Sequence, residues 1–374
     1  MGDYLKLAGA YPVHILTLGF AYGATIVFTF FGPVLIVTAG ELAPALSLIA
    51  VVFHVLAFYL PVSGFEYKPA YWIGLAVLVL GLVTAFTLLP VPGLVAATGL
   101  YAWLIGRVGC LWTYFVLETI PVPCKGRVVA SSLFLAFLVL YFVNMSVPVL
   151  SRAAALAVPC LMAAGAVLCC CKMVLQGKRP MDRNSVAQSA DAPVPPYFSF
   201  LLLVYVSGGF SYAGIYPYFE PFAHIDRYYN VLFYLFAMLA AGRVLDTLGR
   251  KTAFVTGVGF LSVSFAVFLL PSTTVSYLMT QTFLQAGWAF VNAFGWSFSW
   301  DMAARYQQPH LFSRGIAAML LGAAMGAFLA EIFRNLGEGY KAAYSLLTFV
   351  PLAFSFIWLR RFPETLEKGQ GQPN

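Results

Sequence analysis

The stretch Gly242-Arg-Val-Leu-Asp-Thr-Leu-Gly-Arg-Lys251 lies between two long apolar runs. It sets four charged side chains and two glycines into one short connection. Glycine allows a tight turn or a close approach of two backbones. An acid followed by a basic pair suits a place where helix termini and side-chain charges lock together. Such a connection has meaning only in the context of the runs on either side of it.

Those runs dominate the chain. Of 374 residues, 61% are hydrophobic and 9% charged, and the mean hydropathy is +0.86. Soluble domains carry about a quarter charged residues, so the expected class is an all-α polytopic membrane protein whose first partner is the lipid bilayer. The net charge of +7 does not point to nucleic acid. Its basic residues fall singly or in pairs at the ends of apolar runs, which is how membrane topology is signalled. The six cysteines form no Cys-x-x-Cys pair and have no histidine-rich neighbourhood, so neither a metal nor another cofactor is expected. Cys169–Cys171, beside Lys172, read as small apolar residues at a helix end.

A helix that crosses a bilayer needs about 20 mostly apolar residues. That rule places spans near 13–36, 42–60, 70–89, 93–117, 128–148 and 153–174, then near 197–219, 228–246, 252–270, 273–298, 312–333 and 342–360. Gly40 and Pro44 separate the first two. The first run is too long for the core of a signal peptide. The polar, proline-bearing stretch 176–196 reads as a linker. The organisation is thus 1–175, a first six-helix bundle; 176–196, a cytoplasmic linker; 197–363, a second six-helix bundle; and 364–374, a tail. With the N-terminus inside, sixteen of the 21 Lys and Arg residues fall on inner segments and four on outer ones, Arg107 being the remaining one. Both termini are therefore expected on the cytoplasmic side of a multi-pass protein.

The spacing Gly242-x-x-x-Asp246-x-x-Gly249-Arg250-Lys251 resembles the loop motif of the major facilitator superfamily of secondary transporters, with Thr247 where that family usually has Arg. Glu118-Thr-Ile-Pro121 followed by Lys125-Gly-Arg127, Asp301 followed by Ser313-Arg-Gly315, and Pro363-Glu-Thr365 resemble other short elements of the family. The first-half loop 61–68 lacks the motif, and span five lacks the Gly-Pro signature of drug–proton antiporters. The resemblance implies two bundles that rock about a central site, with Gly242, Asp246, Gly249, Arg250 and Lys251 gating the cytoplasmic side.

Ionisable and polar groups inside spans mark candidate sites, because the hydrocarbon makes them costly. Trp103, Arg107 and Tyr114 share a face of span four, with Glu118 below them. Arg107 is expected to face the cavity and meet an anion, with no carboxylate near it inside the span. Span ten carries Gln281, Gln285, Trp288, Asn292 and Trp296 as a polar-aromatic stripe. Span seven carries Tyr205 and Tyr212 beside Gly208 and Gly209. Tyr22, Thr25 and Thr29 share a face of span one, and His14 and His54 read as hydrogen-bonded structural residues. The expected substrate-binding set is Arg107, Trp103, Tyr114, Tyr212, Gln281, Gln285, Trp288 and Asn292. The expected cargo is a small amphipathic organic solute, neutral or singly anionic, moved by alternating access. A transporter-like sensor that binds without flux is the rival reading. No His-Glu-x-x-His or Gly-x-Ser-x-Gly pattern occurs, so no enzyme is expected, and the unit is expected to act as a monomer.

Overall fold

The computed structural model describes residues 2–30, 32–88, 91–176, 194–333 and 341–359. Apolar chain in a bilayer must satisfy its backbone internally, and helices do so within one segment. Among the described residues the chain is accordingly helical, with no strand. A short helix α1 (Gly2–Ala10) leads into α2 (Pro12–Ala24), which passes through a π-helical turn at Thr25–Thr29 and ends in α3 (Pro33–Ala39). Then follow α4 (Ala43–Tyr59), α5 (Pro69–Leu88), α6 (Val91–Thr119), α7 (Lys125–Ser146) and α8 (Arg152–Gln176). The second half holds α9 (Val194–Ile215), α10 (Ala223–Thr247), α11 (Arg250–Phe268), α12 (Thr274–Tyr306), α13 (Pro309–Phe333) and α14 (Lys341–Leu359).

The run Pro12–Tyr59 is apolar throughout its 48 residues. As a single helix it would be about 72 Å long, far beyond any bilayer. The chain reverses at Gly40, where φ is +54°, and proline in the first turn of α2, α3 and α4 starts each helix where its missing N–H costs nothing. Leaving α1 aside and counting α2 with α3 as one pass, the described helices make twelve, six before the linker region and six after it. α12 is the longest of the helices, and its polar stripe runs through it. The linker stretch 176–196 lies, apart from its two ends, outside the described residues, as do Pro363–Thr365 and the 364–374 tail.

Within the first half α2 packs on α6, α7 and α8, α4 on α6, and α5 on α8; within the second, α9 packs on α13 and α14, and α12 on α10 and α11. The halves meet chiefly where α7 packs on α10 and α4 on α13, with α12 touching α6 and α7 and α13 touching α6 beside them. The core is a continuous apolar and aromatic cluster that includes Trp112, Trp288, Trp296 and Trp300, each at most 2% exposed. Exposed Val77, Phe236, Phe328 and Ile357 lie on the outer faces of their helices, as a lipid-facing surface requires.

Candidate functional site

The opening stretch does not form a loose loop. Asp246 sits in the last turn of α10, and Gly249 takes φ +87°, a left-handed turn that lets α11 start at once. The Asp246 carboxylate, 1% exposed, faces the first turn of α7 in the other half. It accepts from the Gly126 N–H at 2.8 Å, the Arg127 N–H at 3.1 Å and Arg127 Nε at 2.8 Å. A helix start has unpaired N–H groups and a positive dipole end, so an acid from one bundle caps a helix of the other. Gly242, one turn back, makes this approach possible. A Cβ there would lie 2.4 Å from Ala130 Cβ and 2.9 Å from the Gly126 carbonyl oxygen. Thr247, where the family usually has Arg, bonds back to the Arg243 carbonyl at 2.8 Å and reaches no one across the divide.

A second acid completes the junction. Asp301, near the end of α12, pairs with Lys125 Nζ across the divide and with Arg250 Nη1 at 2.9 Å in its own half. Arg250 also lies over the Phe298 ring, 5.7 Å from its centroid. Lys251 is half-buried. On the other side of the same end, Arg314 of α13 stacks over Tyr59 of α4 at 4.7 Å. Two ion pairs between the halves, Arg127–Asp246 and Lys125–Asp301, and one cation–π contact therefore close this end of the molecule.

Midway along the helices lies a cavity of about 20 Å³, roughly the room of one water molecule. Both halves line it: Tyr22, Thr25 and His54 from the first, Trp296, Ile316 and Leu320 from the second. His54 Nδ1 faces the Ala50 carbonyl and its Nε2 faces Thr25 Oγ1, both at 3.1 Å. A carbonyl only accepts, so Nδ1 carries the proton there. Thr25 belongs to the π-helical turn, a distortion often found at functional positions. Tyr22 meets Trp296 edge to face at 5.8 Å. Neither Trp296 Nε1 nor Tyr205 Oη has a hydrogen-bond partner, although the two residues are only 2% and 7% exposed.

Arg107 is placed otherwise than expected. α6 turns Ile105 and Gly109 into the cavity, and residue 107 lies about 200° round the helix from each. Its guanidinium meets Glu66, with Nε to Oε1 at 2.7 Å and Nη2 to Oε2 at 2.6 Å, and also donates to the carbonyls of Ala57, Leu60 and Pro61. The carboxylate thought absent comes from the 61–68 loop, which folds inward. Glu66 also accepts from Ser63 N and Oγ, and its own carbonyl accepts from Trp72 Nε1. Glu118, the neighbour on the helix, is exposed. Trp103 and Tyr114 follow Arg107 onto that face, half-buried and outside the cavity lining.

Of the α12 stripe, only Trp296 reaches the cavity. Gln285 joins Asn230 of α10 through its Nε2 and accepts from Tyr212 of α9 at 3.1 Å. Trp288 donates to Ser211 at 3.0 Å, and Asn292 donates to Tyr234 at 2.7 Å. These side chains tie α12 to α9 and α10, as polar groups between membrane helices do. Gln281 is fully buried, with both amide atoms unpartnered. Residues that hydropathy reasoning rated low, Tyr22, Thr25 and His54, are the ones the fold brings to the centre. Thr25 and Thr29 do bond back to their own helix, as threonines in membrane helices commonly do.

Comparison with solved structures agrees with this architecture. A bacterial homologue of the iron transporter ferroportin, in an outward-facing state with soaked iron, superposes with a TM-score of 0.67 at 12% identity, over 93% of this chain and 97% of that one. The proton:xylose symporter XylE, of the major facilitator superfamily, gives 0.66 at 12% identity over 94% and 95%. The human organic anion transporter MFSD10 gives 0.64 at 15% identity over 92% and 98%. No family profile and no curated protein sequence matches. The chain thus has the twelve-span, two-bundle fold of major facilitator superfamily transporters.

Two outcomes follow from the geometry. Glu66→Gln leaves Arg107 buried without its counter-charge and should lower stability by about 3–5 kcal/mol, while Glu66→Gln with Arg107→Met should recover part of that loss. Thermal unfolding of the purified variants in detergent measures both. Gly242→Leu forces α7 and α10 apart, so trypsin should cut at Lys125, Arg127 and Lys251 faster than in the unaltered protein. Equal cutting rates would show that the α7–α10 contact does not guard those sites.

Proposed function

We propose that the protein is a secondary transporter in which the ionic junction is a cytoplasmic gate and the central cavity is the collapsed cargo site. The observation that carries this reading is the pairing of the two features in one conformation. One end is sealed by charges shared between the bundles, and a space walled by both bundles sits behind the seal. A rocking motion that parts Asp246 from α7 would expose that space to one side, which is how alternating access works in two-bundle transporters. The charge asymmetry of the segments supports assigning the sealed end to the cytoplasm, with both termini on that side.

The cargo is a small, uncharged, amphipathic solute that carries hydrogen-bond acceptors. Arg107 is committed to Glu66 and three carbonyls, so it supplies no charge to the cavity. The lining side chains are apolar, aromatic or neutral at Thr25, with His54 the titratable exception besides Tyr22. Trp296 Nε1 can only donate, and it has no partner in this state. Buried donors in this state favour a ligand that brings acceptors. The ring faces of Tyr22 and Trp296 would supply flat apolar contact. Tyr212 of α9 and the α12 residues Gln285, Trp288 and Asn292 hold the second bundle together around this site rather than touching cargo.

The test uses three matched aryl solutes that differ only in one substituent: an amide, a carboxylate and an ammonium. The amide should raise the melting temperature of the purified protein, since a ligand stabilises what it binds, and should enter proteoliposomes with saturable kinetics. Trp296→Phe should weaken its binding about five- to ten-fold, the worth of one hydrogen bond. Stabilisation by the carboxylate alone would overturn the uncharged assignment. Stabilisation by the amide without any flux would mean a sensor rather than a carrier.

A further inference from the structure

The N-terminal helix takes part in the ionic junction although it belongs to no span. α1 is joined to α2 without slack. The Tyr11 N–H bonds to Leu7 O at 2.8 Å and the Ile15 N–H to Tyr11 O at 3.1 Å, so Tyr11 bridges the break between the two helices, and α1 packs on α2 and α7 of the first bundle. α1 therefore moves with the first bundle. Its Tyr4 hydroxyl nevertheless donates to the Leu239 carbonyl of α10, in the second bundle. Gly242 leaves the room for this, because a Cβ there would stand 2.9 Å from Tyr4 Oη. Asp3, one residue earlier, lies 3.8 Å from Arg127, the residue that Asp246 holds from the other side. Burial, with the Asp246 charge nearby, pushes the Tyr4 phenol above its ordinary range, so the hydroxyl remains a donor at neutral pH.

From these contacts we propose that α1 is a latch on the gate: Tyr4 fastens the first bundle to α10, so the N-terminal helix helps set how often this end opens. The latch rests on reading the junction as a gate. It differs from that reading in its parts, since neither Asp3 nor Tyr4 lies within a span or in the 242–251 stretch. A hydroxyl donating to a carbonyl is directional, and parting the bundles by even a few ångströms breaks it. The same bond would re-form on closure without any rearrangement of α1, because its packing on α2 and α7 keeps Tyr4 in place.

Hydrogen exchange by mass spectrometry on the full chain in lipid nanodiscs tests this with no ligand needed. The segments read are 122–131 and 239–252, with α8 as the control for global folding. Tyr4→Phe keeps the ring packing and removes only the donor. Exchange in both segments should rise about five-fold, what one hydrogen bond is worth, while α8 stays at the level of the unaltered protein. Asp246→Asn is the reference for the gate itself. If Asp246→Asn speeds exchange and Tyr4→Phe does not, the gate stands and the latch is wrong. If neither changes it, the gate reading fails together with the latch. A rise in α8 as well as in the two segments in Tyr4→Phe means the hydroxyl supports the whole fold, and that too overturns a latch.

Discussion

Three hydrogen bonds on the Asp246 carboxylate, one of them its ion pair with Arg127, hold the two halves of this protein in register. The interaction works because each partner lacks an alternative. The first N–H groups of α7 have no acceptor in their own helix, and Asp246 is nearly fully buried, where an unpaired charge is expensive. Bringing the two together answers both needs at once. It also requires α7 and α10 to touch at the backbone, and that places Gly242 under the same constraint. The small central cavity follows from this contact, since two bundles drawn together at one end leave little space between their middles.

The halves meet this demand unequally. In the second half an acid at the end of α10 captures a helix start. In the first half the end of α4 carries Tyr59, which receives the Arg314 guanidinium of α13 on its ring face. The aromatic ring attracts a cation without a formal charge, so this side is held more weakly and with less dependence on salt. The loop after α4 meanwhile uses its own acid inwardly: Glu66 fixes Arg107, and through it the carbonyls of Ala57, Leu60 and Pro61. The loop that lacks the motif is thereby a clamp within its bundle.

The spans were legible because hydropathy is a local property with a long run behind it. α6 at Val91–Thr119 and α13 at Pro309–Phe333 depart from their expected limits by at most a few residues. The partnerships of polar residues were much less legible, since they depend on contacts that sequence distance hides. Arg107 looked solitary because Glu66 stands 41 positions away in a loop. A signal did exist: Glu66 is the sole acid between Glu41 and Glu118, and Ser63-x-x-Glu66 is a capping box that folds the loop back on itself. The α12 stripe misled in the opposite direction. Gln285, Trp288 and Asn292 have the chemistry of a binding face, yet the same chemistry joins helices, and only the packing tells the two apart. Thr25 and His54 carried too little individual signal, because threonine and histidine occur in membrane helices for many reasons.

Asp301 answers to both bundles, and the two bonds are not equivalent once the bundles separate. Arg250 belongs to the same half and would stay with the acid in the proposed rocking motion, while Lys125 belongs to the other half and would leave it. Arg127 would leave Asp246 in the same motion. The parted walls would then carry opposite signs, Lys125 and Arg127 on one side and Asp246 on the other, facing each other across the opening. A dipolar molecule passing between them would be turned broadside by that transverse field, its negative end towards α7, before it reached the aromatic rings behind.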